Sequence, residues 1–246
     1  MRIAVLADIH GNIRALDAVI ADMRGFKPDR VVNLGDCFSG PLFAAATADT
    51  LLEYNWLTIR GNHDRQLLDT PPENMGASDR HAFAQLDTRE EDWLADLPAT
   101  ARIIEEDILL VHGTPDNDSE YLLETVENGT TRLATDAEIR ARLAGTSAKV
   151  ILCGHSHMQR EVTLDDMLIV NPGSVGLQAY TDKDPWHYVE TGTPHARYAL
   201  LEKLETGWAI TFRQVTYDWN AAAKDACKAG REDWAYALAK GLARRA

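Results

Sequence analysis

Apolar positions along the 246-residue chain gather into short runs separated by longer amphipathic stretches. Residues 3–7 (IAVLA), 30–34 (RVVNL), 55–59 (NWLTI), 108–111 (ILLV), 150–153 (VILC) and 167–170 (MLIV) have the length and continuity of buried strands. Between the first two, Ile13, Leu16, Ile20 and Met23 share one helical face, and Asn12 is placed to cap it. PLFAAATADTLLEY (41–54) and DAEIRARLA (136–144) read as further helices. Asp8 to Asp36 spans 28 positions and Asp36 to Asn62 spans 26, close to the ~30 residues of a βαβ unit. Strands alternating with helices predict an α/β layered fold.

The pattern changes toward the C-terminus. EVTL (161–164), MLIV, RYALLE (197–202) and WAITFRQVT (208–216) are short strands joined by turns, which predicts antiparallel hairpins at the close of a sheet. Residues 182–195 (DKDPWHYVETGTPH) read as a long polar loop, and residues 219–245 as a helical segment in which Trp234, Leu238 and Leu242 share a face. No linker, repeat or low-complexity stretch interrupts the chain, so a single domain over 1–246 is expected.

Composition narrows the function classes. The net charge of −13 opposes binding to long nucleic acids, since no Lys/Arg cluster exceeds the terminal ARRA. No apolar run approaches the ~18 residues of a membrane span, and the chain opens directly on a strand with no signal-peptide pattern, so cytoplasmic residence is expected. Cys37, Cys153 and Cys227 are widely spaced and unpaired in pattern, which points to reduced and mostly packed thiols rather than a disulfide or cysteine-zinc framework.

The strand ends carry the chemistry. IAVLA leads to Asp8 and His10, VVNLG to Asp36, LTIRG to Asn62, His63 and Asp64, ILLV to His112, and VILCG to His155 and His157. Ligands of open α/β sheets bind at the carboxyl ends of strands, so residues 150 positions apart in the chain can converge there. Two carboxylates, one amide and four imidazoles, with no thiolate, exceed what one tetrahedral zinc takes and suit a two-metal centre. Each motif alone has a plainer reading: GD as a turn, GNHD as a capped helix start, His112 as a structural histidine, GHSH as a mononuclear pair. Their joint occurrence favours the dinuclear site.

In order, DIH, GD, GNHD, VHG and GHSH resemble the signature of the calcineurin-like metallophosphoesterase superfamily, and NPGSVG (171–176) is similar to its small prokaryotic phosphodiesterase branch. The motifs cover residues 1–176, with closing strands and the C-terminal helix over 196–246. The resemblance implies a four-layer αββα sandwich, two packed mixed sheets flanked by helices. It implies one divalent metal on Asp8, His10, Asp36 and His157 and a second on Asp36, Asn62, His112 and His155, with Asp36 as the bridge. His63 would face the substrate with Asn62 and assist the leaving group, oriented by Asp64. The implied reaction is in-line hydrolysis of a phosphoester by a hydroxide held between the metals. Manganese is the expected assay metal, with iron, zinc, nickel and cobalt also suited to these ligands.

Protein phosphatases and symmetrical dinucleotide polyphosphate hydrolases of that superfamily carry GDxVDRG, where an arginine grips phosphate. The corresponding stretch here, GDCFSGP (35–41), has none, which favours a phosphodiesterase. A small-molecule phosphomonoesterase, a dinucleotide polyphosphate hydrolase and a non-catalytic metal-binding scaffold are the alternatives. His81, His187 and His195 are expected at the surface or in loops. Trp186, His187, Tyr188 and Tyr121 are weaker candidates for substrate selection than for anchoring, and the Trp234 face is expected in the core or at a homodimer contact.

Overall fold

The computed structural model describes residues 1–245. The chain runs β1 (Arg2–Leu6), α1 (Ile13–Arg24), β2 (Arg30–Asn33), α2 (Ala44–Tyr54) and β3 (Leu57–Thr58). Three short helices follow, α3 (Asn62–Asp69), α4 (Ala77–Phe83) and α5 (Thr88–Asp96). Next come β4 (Ala101–Ile103), β5 (Ile108–Leu110), β6 (Glu124–Glu127), β7 (Thr130–Leu133), α6 (Asp136–Leu143), β8 (Val150–Leu152), β9 (Gln159–Leu164) and β10 (Met167–Pro172). The chain closes with β11 (Ala179–Lys183), β12 (Trp186–Glu190), β13 (Ala196–Leu204), β14 (Gly207–Val215), α7 (Trp219–Lys228) and α8 (Glu232–Lys240). Among the described residues no helix is long and apolar enough to cross a membrane.

Two five-stranded mixed sheets, ordered β14-β13-β1-β2-β3 and β4-β5-β8-β10-β9, form the centre. Strand alternation sets the layers. Ile3, Val5, Val32 and Leu201 of the first sheet face Ile108, Leu110, Val150 and Leu152 of the second in one buried cluster. The opposite face of the first sheet, through Ala4, Leu6, Tyr198 and Leu200, packs on Leu16, Ile20 and the C-terminal helices. The outer face of the second sheet, through Leu109, Ile151 and Ile169, packs on Ile139 and Leu143 of α6. Helix, sheet, sheet, helix is the four-layer arrangement expected.

Leu110 is fully buried in the inter-sheet layer. Leu110→Ala should lower the unfolding free energy by about 2–5 kcal/mol. Denaturant melts would read this as a lower midpoint at unchanged slope, and a loss under ~1 kcal/mol would contradict the packing assigned to that layer.

The polar stretch 182–195 departs from expectation. Most of it belongs to an antiparallel hairpin, β11 on β12, within a third sheet ordered β11-β12-β7-β6. Its one buried-face pair, His187 and Val189, alternates with more exposed Trp186, Tyr188 and Glu190. His187 is therefore 1% exposed rather than a loop residue, held because Tyr121 and Pro185 satisfy its two ring nitrogens. The C-terminal segment is two helices, with Trp234 in the core and Leu242 partly exposed.

Candidate metal centre

The carboxyl ends of five strands, β1, β2 and β3 of the first sheet and β5 and β8 of the second, lie along one edge of the sandwich. Immediately beyond them the chain turns sharply. Asp8, His10, Asp36, His155 and His157 all have φ between 53° and 65°, a left-handed conformation that non-glycine residues rarely adopt. Such residues cost roughly 1–3 kcal/mol each and persist where the surroundings hold them for function. Gly61 leaves the room this needs, because a Cβ there would run into the Asp36 carboxylate and the His112 ring.

The turns bring the ligand atoms of Asp8, His10 and His157 within 4.8 Å of one another, and likewise those of Asp36, His112 and His155. Asp36 lies between the groups, its Oδ2 3.9 Å from His10 Nε2 and 3.4 Å from His112 Nε2. Asn62 joins the second group, with Oδ1 3.0 Å from His112 Nε2. Three imidazoles have fixed tautomers: Nδ1–H donates to the carbonyl of Ser39 from His10, of Leu34 from His112, and of Leu177 from His157. Each Nε2 then points inward, the arrangement of metal-ligating histidines.

The site fits cations on its own chemistry. Both Asp8 carboxylate oxygens are buried without a hydrogen-bond partner, a costly state unless a positive charge faces them. His10 Nε2 and His157 Nε2 approach to 3.2 Å, so two lone pairs oppose each other unless something electrophilic lies between. Burial lowers His10 and His155 to about 4, keeping them neutral and ready to ligate. Burial also works against a proton on His112, but the Asp36 charge and hydrogen bond raise it to about 10. A cation entering there must displace that proton.

His63 lies beside both groups and half-buried, its ring 5.7 Å from that of His10. The expectation that Asp64 orients it is not what the geometry shows. The Asp64 carboxylate accepts from the backbone N–H groups of Asp36 (2.7 Å), Cys37 (2.8 Å) and Gly61 (3.0 Å). At the third position of α3 it is better placed to satisfy unpaired turn donors than to reach its neighbour's ring. It ties the GD turn to the GNHD turn. Asp79 of α4 takes the other role, with Oδ1 2.9 Å from His63 Nδ1 and 2.6 Å from the Ser39 hydroxyl. Burial opposes a charged His63, but the Asp36 charge and the Asp79 pair raise it to about 9. Nothing in ASDRHAF separates Asp79 from an ordinary first-turn acid.

Tyrosines support the GHSH histidines. The Tyr121 ring lies 4.9 Å from that of His155, and the Tyr180 ring 4.7 Å from that of His157. The two hydroxyls meet at 2.6 Å, and Tyr121 donates onward to His187 Nε2 at 2.9 Å. The NPGS turn is structural: the Ser174 hydroxyl donates to the Asp8 carbonyl at 2.8 Å. His10, Asp36, Asn62, His63, His155 and His157 open onto one cavity of about 510 Å³. Its far wall comes from α8 and the β11–β12 hairpin. Trp234 of α8 sets its ring 5.8 Å from His10.

A calcineurin-like phosphoesterase superfamily domain is matched over residues 1–192. The chain is 24% identical over 251 aligned positions to an uncharacterised protein of Methanocaldococcus jannaschii, covering 94% of each. It superposes on a metallophosphoesterase from Sphaerobacter thermophilus at TM-score 0.76 and 22% identity, covering 98% of this chain and 100% of the other. A hypothetical protein of Pyrococcus horikoshii aligns at TM-score 0.76 and 20% identity, covering 98% of both. At these identities the structural likeness speaks for the fold.

Proposed function

We propose that this chain, which belongs to the calcineurin-like phosphoesterase superfamily, is a phosphodiesterase acting on a small substrate. The observation that carries the reading is the meeting of two carboxylate–imidazole groups and His63 on one cavity. Family membership makes the chain a metal-dependent phosphoesterase. One cation would be held by Asp8, His10, Asp36 and His157, the other by Asp36, Asn62, His112 and His155. Two such cations supply charge neutralisation for the phosphoryl group and a lowered pKa for the attacking water.

The remaining work falls to the chain's own side chains. With Nδ1 occupied by Asp79, His63 offers Nε2 to the substrate, to hydrogen-bond a phosphoryl oxygen or to protonate the leaving alkoxide. Asp79 fixes the ring and favours its protonated form. Ser39 in turn holds Asp79. A cavity of about 510 Å³ is of the size that encloses a small molecule.

One feature supports a diester over a monoester. The GDCFSGP segment brings no arginine to the centre, and its Cys37 and Phe38 are buried in the core instead. A diester carries one negative charge at the reacting phosphorus where a monoester carries up to two, so it needs fewer cationic partners. The test is manganese-dependent turnover of bis-p-nitrophenyl phosphate beside p-nitrophenyl phosphate, after stripping and reloading the metal. Preference for the diester is expected. Preference for the monoester would replace this reading with a phosphatase.

A further inference from the structure

Beyond the metal ligands, the cavity wall holds one arginine set in a built environment. Arg231 stands just ahead of α8, its side chain 21% exposed. Its Nε and Nη2 donate to the two oxygens of Asp233 at 2.9 and 2.7 Å, a planar fork-to-carboxylate pairing. Nη1 donates to the Ser78 hydroxyl at 2.7 Å, and the guanidinium carbon lies 5.7 Å from the Trp234 ring centre. These contacts use three of five N–H groups. Among the described residues, one N–H on each terminal nitrogen has no protein partner.

Its position ties it to the reaction centre. Ser78 is the chain neighbour of Asp79, which holds His63, and Trp234 bridges from the guanidinium to His10. Arg231 thus occupies the same cavity as His63 but stands off from the ligand groups by the width of an indole. A side chain placed there reaches the part of a substrate that does not react. The other arginine on the wall, Arg244, is half exposed and paired with Glu232. Asp182 and Asp184 at the hairpin tip also line the cavity but are exposed and therefore screened by solvent and salt. Asp233, also on the wall, offsets the charge of Arg231, so what Arg231 offers an anion is its unpaired N–H groups.

We propose that Arg231 is a specificity residue whose two free N–H groups bind a second oxyanion of the substrate, away from the reacting phosphorus. The preferred substrate is then a small phosphodiester with an additional phosphate-like group, an inference that rests on the phosphodiesterase reading above. Asp233 and Ser78 hold the guanidinium in orientation, so little freedom is lost on binding.

The test uses probes that differ by one phosphate. Manganese-loaded protein is titrated with thymidine 5′-phosphate and thymidine 3′,5′-bisphosphate, and turnover is measured on the 5′-p-nitrophenyl phosphodiesters of thymidine and of thymidine 3′-phosphate. The wild type is expected to favour the bisphosphate, and the 3′-phosphorylated ester in KM, by roughly tenfold or more. Arg231→Gln should bring both ratios close to one with kcat much less affected. Arg231→Lys, which keeps the charge and loses the fork, should retain part of the preference. No preference in the wild type, or a preference that survives in Arg231→Gln, overturns the proposal. Equal losses for both probes with a lowered thermal midpoint would make Arg231 structural and overturn it too. If neither ester is hydrolysed but the Arg231-dependent binding preference holds, the phosphodiesterase reading fails and the anion site stands.

Discussion

Replacing His63 with alanine is expected to cut turnover of an alkyl phosphodiester, whose alkoxide leaving group needs a proton, by about 10²–10⁴-fold while bound manganese stays at the wild-type level. The separation follows from geometry. The imidazole lies outside both ligand groups, and its protein hydrogen bond goes to Asp79. The backbone N–H of residue 63, which donates to Asp36 Oδ1 at 2.9 Å, survives the substitution, so the carboxylate between the groups keeps its orientation. Asp79→Asn should give an intermediate loss, since an amide oxygen can still accept from Nδ1 while the Asp36 charge remains and only the Asp79 share of what raises His63 is lost. Metal analysis and turnover on the same samples decide the matter. Wild-type turnover in His63→Ala would remove the residue from the mechanism, and loss of metal would make it part of the cation site.

The second large effect is expected at Asp36. This carboxylate is 1% exposed, and its Oδ2 lies within 4.0 Å of an imidazole from each group. Asp8 also reaches both groups, with Oδ1 3.5 Å from His157 and 4.0 Å from His112, but it stands with His10 and His157. Asp36→Asn keeps the shape and removes the charge, so both cations should weaken together. Outer-shell changes at metal sites cost about 10–100-fold in affinity, and removal of a shared ligand should cost at least as much. Ligand binding at 100 times Kd stabilises a fold by about 2.7 kcal/mol. For a chain of this size that is a rise of roughly 5–11 °C in thermal midpoint, which Asp36→Asn should largely abolish. Retention of one full equivalent of metal would show that Asp36 serves a single cation.

The same local physics explains which parts could be read in advance. Strands β1, β2, β5, β8 and β10 are buried between layers, so they appear as unbroken apolar runs, and the residues after them sit where parallel strands end. The third sheet left no such trace. Thr181, Asp182, Lys183 and Trp186 are exposed, and the inward positions of β12 are His187 and Val189, so a strand with a polar inward residue reads as a loop. The partners of Asp64 are hidden in the sequence for a related reason. Chain adjacency suggested His63, whereas the helix start turned the carboxylate toward three backbone donors.

From the order of residues alone came the layered α/β class, the convergence of Asp8, His10, Asp36, Asn62, His112, His155 and His157, and the kinship that their motifs imply. Each depends on short-range pattern: burial written as hydrophobic runs, and ligands written at strand ends. The tertiary structure alone decided that Asp79 holds His63, that Tyr121 and Tyr180 stand behind the GHSH histidines, and that Arg231 and Trp234 close the cavity. Those contacts join segments up to 224 positions apart, from His10 to Trp234. An acid, a tyrosine or an arginine on a helix or hairpin looks the same in sequence whether it meets water or an active site, because only packing chooses its partner.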